Sequence, residues 1–262
     1  MNATSMTFNR IRYRFDDFTL SNYRRLVELA KENGFEFSFF DRDYASAGKI
    51  LLWRHDVEFS PHVALRMASI EHACGVKATY FFQLHSEFYN LLEREVTQIA
   101  LDIRSMGHEV GLHFDSHFFD VQSEEQLECS LALDARYFQS ILGTNVRAFS
   151  FHNTTPFILS CERLEYAGLL NVYARYYKTH FSYCADSTGY WRYELLDDVL
   201  RSPDISKLQV LTHDAMWSET ALAPRQRVFQ SVDDHAERLK RFYDAALLQY
   251  AAKNVDEDSV YE

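Results

Sequence analysis

The chain has 262 residues, 47% of them hydrophobic, and a formal charge of −11. That length and apolar share suit one α/β domain with a sizeable core, so residues 1–262 read as a single unit. The acidic balance argues against a nucleic-acid partner. No run is apolar enough to span a membrane, and the charged N-terminus lacks a secretory signal, so a cytoplasmic protein is expected.

In chain order, residues 20–33 have the spacing of an amphipathic helix stopped by Gly34, and FEFSFF (35–40) reads as a strand. Strand 50–54 leads into a helix over about 61–74, which Ser60-Pro61 opens, and strand 77–84 follows. A helix over 91–105 ends before Gly107, and strand 108–113 comes next. The Ser-x-x-Gln pattern at Ser123 starts a long helix to 142, ended by Gly143. Strand 146–151, a helix over 157–167, and strands at 170–174 and 182–186 follow, then strand 208–213 and a helix over 225–252. The first 48 residues form an N-terminal extension, and the acidic tail 254–262 is expected to be mobile. Strand and helix alternating this often predicts a barrel or an open doubly wound sheet, and the lack of GxGxxG disfavours a dinucleotide fold. Cys74, Cys129, Cys161 and Cys184 lie far apart with no CxxC pair, which disfavours both a disulfide framework and a cysteine zinc site.

Four apolar runs end on a histidine, at His55, His113, His152 and His213. Parallel strands bring their C-terminal ends to one rim, where α/β enzymes build their sites. Aspartates follow two of them, at Asp56 and Asp214, and His113 begins an HxxxH pair with His117. Imidazole and carboxylate together are the donors of a zinc-type ion. On one helical turn His113 and His117 would face the same way, and Asp56 is the best third ligand from another strand end. Several residues have two readings. His108 beside Gly107 is structural more often than a ligand; Asp214 either orients His213 or is a solvated loop residue. Asp186 either fixes a histidine or sugar or forms a turn. Trp191 and Trp217 stack on a sugar or pack in the core, whereas the Phe81-Phe82 and Phe118-Phe119 pairs read as core.

Trp53-Arg54-His55-Asp56, the GHEVGLH segment from Gly107 through to His117, and Leu211-Thr212-His213 resemble the polysaccharide deacetylases, the NodB-homology proteins or carbohydrate esterase family 4. The RHDV and SFH segments are similar to divergent deacetylase-like proteins of bacterial surface-polysaccharide (O-antigen) clusters. The resemblance is dense over about 50–120 and thinner to 213. It implies a distorted (β/α) barrel of about seven parallel strands and removal of an N-acetyl group from a sugar. It implies a divalent metal, zinc by donor type, on Asp56, His113 and His117, with His213 as general acid. The family's base position is His55 here, leaving His55, Asp115 and Glu58 as candidates for the base. Arg147 stands near the place of the family's arginine motif, and His152 is a further ligand or substrate contact. The expected partner is a small-molecule or lipid-linked carbohydrate. The rival readings are a metal phosphoesterase on the same rim and a carbohydrate-binding homologue with altered catalysis.

Overall fold

In the computed structural model, which describes residues 13–44 and 48–253, the Thr19 hydroxyl accepts the Asn22 N–H and opens helix α1 (Leu20–Glu32). Among its buried residues, Leu20, Tyr23, Leu26 or Val27, and Ala30 recur three or four apart, so one stripe faces the core. Strand β1 (Phe35–Phe37) precedes the central strand β2 (Lys49–Val57), buried from Ile50 onward. Ser60 caps helix α2 (Pro61–Ala73), with proline at its first position as the sequence predicts. Strand β3 (Thr79–Phe82), helix α3 (Arg94–Ser105), strand β4 (Glu109–Asp115) and helix α4 (Glu124–Leu142) complete the first half.

The second half departs more from the expected boundaries. After strand β5 (Ala148–His152), helix α5 (Pro156–Ser160) stops well short of 167. Strand β6 (Glu165–Tyr166) stands where the end of that helix was expected and forms an antiparallel hairpin with β7 (Leu169–Asn171), which begins the strand expected at 170–174. The reason is its two-residue turn: Ala167 and Gly168 both have positive φ, 50° and 76°, which a helix cannot accommodate. Helix α6 (Arg175–His180), strand β8 (Ser182–Ala185) and helix α7 (Leu196–Arg201) follow, and both short helices were unexpected. Strand β9 (Lys207–His213) and the long helix α8 (Pro224–Gln249) end the described chain, so the acidic tail 254–262 lies outside the described residues.

The sheet order is β6-β7-β5-β4-β3-β2-β9-β8, with β1 on β2, and every pairing but β6–β7 is parallel. Its concave face is an apolar cluster with Ile50 and Leu52 from β2, Phe81 from β3, Ala148 from β5 and Leu170 from β7. Arg54 of β2 lies 4.8 Å over the Tyr173 ring just past β7, so the sheet curls back on itself. This is the distorted (β/α) barrel that was expected, with eight strands in parallel pairings and an open side between β6 and β8. Helices α1 to α4 pack on the convex face in the larger cluster. All the parallel strands point their C-terminal ends at one rim.

Gly111, in β4, is closely walled on the concave side. A Cβ there would run into the Phe81 ring and sit 2.9 Å from the Ala148 carbonyl oxygen. Gly111→Ala should therefore destabilise the fold by ~1–3 kcal/mol through overpacking, read as a lowered thermal midpoint. An unchanged midpoint would mean that this wall of the barrel can give way.

Candidate metal centre and active site

Strand β2 runs unbroken through Val57, so its side chains alternate between faces. Arg54 and Asp56 face the concave interior, and Glu58 continues that row past the strand end. The Arg54 guanidinium contacts both Asp56 oxygens at 3.1 Å, with both groups buried. Asp56 Oδ1 accepts the Ser150 hydroxyl at 3.0 Å, and Ser150 Oγ lies 2.6 Å from His113 Nδ1. Because the hydroxyl proton goes to Asp56, the oxygen accepts from His113 Nδ1–H, which leaves the lone pair on Nε2.

That lone pair faces two other donors. His113 Nε2 lies 3.2 Å from Glu58 Oε1 and 3.3 Å from His152 Nδ1, and His152 Nδ1 lies 2.9 Å from Glu58 Oε1. These three atoms fall within 4.8 Å of one another, the one such group among the described residues. Burial alone would raise the Glu58 pKa, but His113, His152 and His213 around it hold it well below the usual carboxylate range. Burial lowers His152, and Glu58 outweighs it, so its pKa is raised. One carboxylate and two imidazoles, one with its tautomer already fixed, fit a zinc-type ion by donor chemistry.

This trio differs from the expected Asp56, His113 and His117. Asp56 stands behind His113, with Oδ2 3.8 Å from Nδ1, and is held by Arg54. β4 continues through Asp115, so His113 is a strand residue and His117 lies in the turn beyond; no helical turn aligns them. The His117 Nε2–H instead donates to the Asn153 carbonyl at 2.7 Å, at the exposed mouth of the site. His55 is corrected more sharply. It is fully buried and turned to the helical layer, Nε2 2.8 Å from Glu71 and Nδ1 2.7 Å from Thr212 Oγ1, its ring stacked on Tyr80. A side chain there does not face the rim where a base must act. Arg147 is also misplaced by the expectation: it precedes β5, at the opposite end of the strand, bound to Glu109 at 3.2 Å and Asp41 at 3.5 Å.

His213 ends β9 directly beside Asp56 in the ladder. Its Nδ1 lies 2.6 Å from Asp186 Oδ1, and its backbone N–H donates to the same carboxylate. Trp217 Nε1 donates to the other Asp186 oxygen at 3.0 Å, so Asp186 orients a histidine and Trp217 packs in the core. Burial would lower the His213 pKa, but the Asp186 carboxylate prevails and lifts it to about 10. Asp214, buried, accepts the backbone N–H groups of Glu58, Phe59 and Ser60, fixing the loop that carries Glu58. Neither reading offered for Asp214 anticipated that.

A cleft of about 740 Å³ opens over the ends of β3, β4 and β5, walled by Glu58, His85, Asp115, His117 and His152. Asp115 Oδ1 accepts the His117 N–H at 2.9 Å, which shapes the turn. Phe118, expected in the core, is 60% exposed and stacked on His85 at 3.6 Å. His108 is structural, with Nδ1 accepting the Ala78 N–H and Nε2 on the Ala68 carbonyl.

No family profile and no curated relative matches the chain. Solved structures do. The chain is similar in fold to family 4 carbohydrate esterases. The Xyl-CE4 domain of a multidomain xylanase from the hindgut metagenome of Trinervitermes trinervoides is 13% identical, with 73% of this chain and 84% of that one covered and a TM-score of 0.43. A family 4 carbohydrate esterase from Bacillus anthracis is 16% identical over 81% and 85%, with a TM-score of 0.41. The chitin deacetylase from the fungus Colletotrichum lindemuthianum is 15% identical over 70% and 81%, with a TM-score of 0.42.

The His213–Asp186 pair gives a pH prediction. A raised folded-state pKa stabilises fully below the ordinary value of 6.5 and is lost as pH climbs through about 10. His213 should therefore titrate by NMR with a midpoint near 10, and Asp186→Asn should bring that midpoint back toward 6.5. A His213 midpoint that ignores the substitution would remove Asp186 as the cause.

Proposed function

We propose that this chain is a divalent-metal-dependent hydrolase that removes the acetyl group from an N-acetylated sugar. The observation that carries this reading is the convergence of Glu58, His113 and His152 donors on the rim that also holds the His213–Asp186 pair. The GHEVGLH and LTH segments that build this rim are those that resemble the deacetylases. Glu58 Oε1, His113 Nε2 and His152 Nδ1 would hold the ion, and zinc suits a carboxylate with two imidazoles. Bound there, it would supply Lewis-acid polarisation of the acetyl carbonyl and a lowered pKa for water.

The chain's own residues supply the remaining steps. The exposed Phe118 ring, braced by His85, offers a flat apolar surface at the cleft wall for a pyranose face. Asp115, on that wall next to His152 in the ladder, takes the proton from the attacking water. His213 is cationic at neutral pH because Asp186 holds its proton, so it can hand that proton to the departing amine nitrogen. Asp214 keeps the Glu58 loop from moving as charge develops. The substrate class is a small-molecule or lipid-linked carbohydrate of bacterial surface-polysaccharide (O-antigen) assembly, handled in the cytoplasm. This follows the divergent deacetylase-like proteins that the RHDV and SFH segments resemble.

Two measurements test the reading together. Purified protein should carry about one zinc per chain, and Glu58→Gln with His113→Ala should lose it, whereas His117→Ala should keep it. Acetate release from N-acetylated sugars should fall by roughly 10³-fold in His213→Ala, as expected for removal of a general acid. Equal metal content in wild type and double variant would sink the centre. Phosphate release without acetate would favour the phosphoesterase reading, and sugar binding without turnover the altered-homologue reading.

A further inference from the structure

Helix α8 is tied by hydrogen bonds at its start, and farther along Leu239 and Phe242 line a cavity of about 310 Å³ together with Phe59 and Phe88. The Arg227 guanidinium donates to the carbonyls of Phe15, Met216, Gly189 and Leu222, tying the first turns to the body. Beyond that, of its 26 residues only Arg227 and Ser231 are buried. A helix that long spans ~39 Å and needs a packed face to be stable. The face it leaves open is not random. Phe229, Val232, Ala236, Leu239, Tyr243 and Ala246 are spaced alternately three and four apart, which is the a/d seam of a coiled coil. Phe229, Val232, Leu239 and Tyr243 are 51%, 44%, 49% and 53% exposed.

We propose that α8 is a dimerisation helix, and that its occupant is the α8 of a second copy running antiparallel, with Ala236 of each copy against Leu239 of the other. Three independent features of the sequence select this arrangement. The first is size matching. In this register Leu239 meets Ala236, Tyr243 meets Val232 and Phe229 meets Ala246, so each layer sets a larger side chain on a smaller one. A parallel pair would instead stack Phe229 on Phe229 and Ala236 on Ala236, leaving crowding and holes in alternate layers. The second is charge. Asp233 and Lys240 flank the seam on the same side, and antiparallel helices bring such flanking positions together across the interface. Here each Asp233 faces the Lys240 of the other copy, twice over. Slipping the helices one heptad either way would set Asp233 on Asp233 or Lys240 on Lys240. The third is overlap: this register also pairs the two helices along nearly their full lengths, 224–249. A two-fold axis through the middle of α8 then relates the copies, which gives a closed, self-complementary interface.

Light scattering during gel filtration at micromolar concentration should return twice the chain's 30.8 kDa. Leu239→Glu places a charge at the centre of the seam on a residue half-exposed in one chain, and should return the single-chain mass with an unchanged circular dichroism spectrum. Asp233→Lys and Lys240→Asp should each weaken the dimer at least ~10-fold, because each turns two attractions into repulsions. Mixing those two variants should restore the dimer, since every new charge then meets its opposite across the seam. A wild-type monomer overturns the proposal, whether the face is then covered by residues 254–262, a membrane or another protein. So does a dimer that survives Leu239→Glu, or one that mixing the charge variants fails to rescue.

Discussion

A guanidinium cannot be left without a counter-charge in a barrel interior, and much of the rim follows from how Arg54 Nη1 is paired. It is fully buried among the concave-face aromatics, over the Tyr173 ring, and its partner is Asp56, two residues along the same strand face. Removing one member of such a buried pair costs several kcal/mol, on the order of 3–5. Asp56 is thereby held in place, with acceptor capacity to spare. It takes the Ser150 hydroxyl, and Ser150 takes the His113 Nδ1–H. The protonation of one ring nitrogen at the rim is thus decided by a charge pair one layer down. With Nδ1 committed, Nε2 is the nitrogen left to face Glu58 and His152.

The end of β9 does for the other side of the rim what Arg54 does for the interior. Asp186 holds both the His213 ring and its backbone N–H, and Asp214 holds three successive backbone N–H groups of the loop that carries Glu58. Burial raises the Asp214 pKa and those N–H groups pull it down, leaving it at about 6. A carboxylate that accepts backbone donors in a water-poor site is rigid, since any movement would strand a buried polar group. Each donor atom at the rim is therefore positioned by hydrogen bonds, and none depends on side-chain packing alone.

Much of this could be read from the residues. The strand–helix alternation, the capped starts at Ser60 and Ser123, and the gathering of His113, His152 and His213 at strand ends all appear in the structure. The misreadings of His55 and of the His113–His117 pair share one physical origin, which is the assumption of where a strand stops. β2 continues to Val57 and β4 to Asp115, so a period of two governs residues that had been read as adjacent pairs or as a helical turn. Counted by that period, Arg54, Asp56 and Glu58 share a face and His55 leaves it. This signal was present in the sequence, and it would have moved Glu58 from candidate base to candidate ligand. The hairpin at Ala167-Gly168 and the Asp214 clamp were less accessible. An alanine at positive φ carries no local mark, and the Asp214 bonds reach residues more than 150 positions away.

The same pleat explains why His55 sits where it does. Behind β2, Glu71 is fully buried and receives the hydroxyls of Tyr23 and Tyr80 and a ring nitrogen of His55. Burial alone would raise the Glu71 pKa, but His55 with His108 and Tyr23 holds it below its ordinary value, so a charged carboxylate survives inside the helical layer. An aspartate in place of His55 would set a second carboxylate against Glu71 there, a like-charge contact in a medium that screens poorly. It would still point away from the cleft. Two carboxylates on neighbouring residues of β2 could not both face this rim while the strand stays extended. A carboxylate pair spaced by one residue can, and Asp56 with Glu58 is that pair. The chain thus puts two carboxylates on the rim face by alternation, one turned inward to Arg54 and one outward to the imidazoles. The intervening histidine is left to hydrogen-bond with the Glu71 carboxylate in the layer behind.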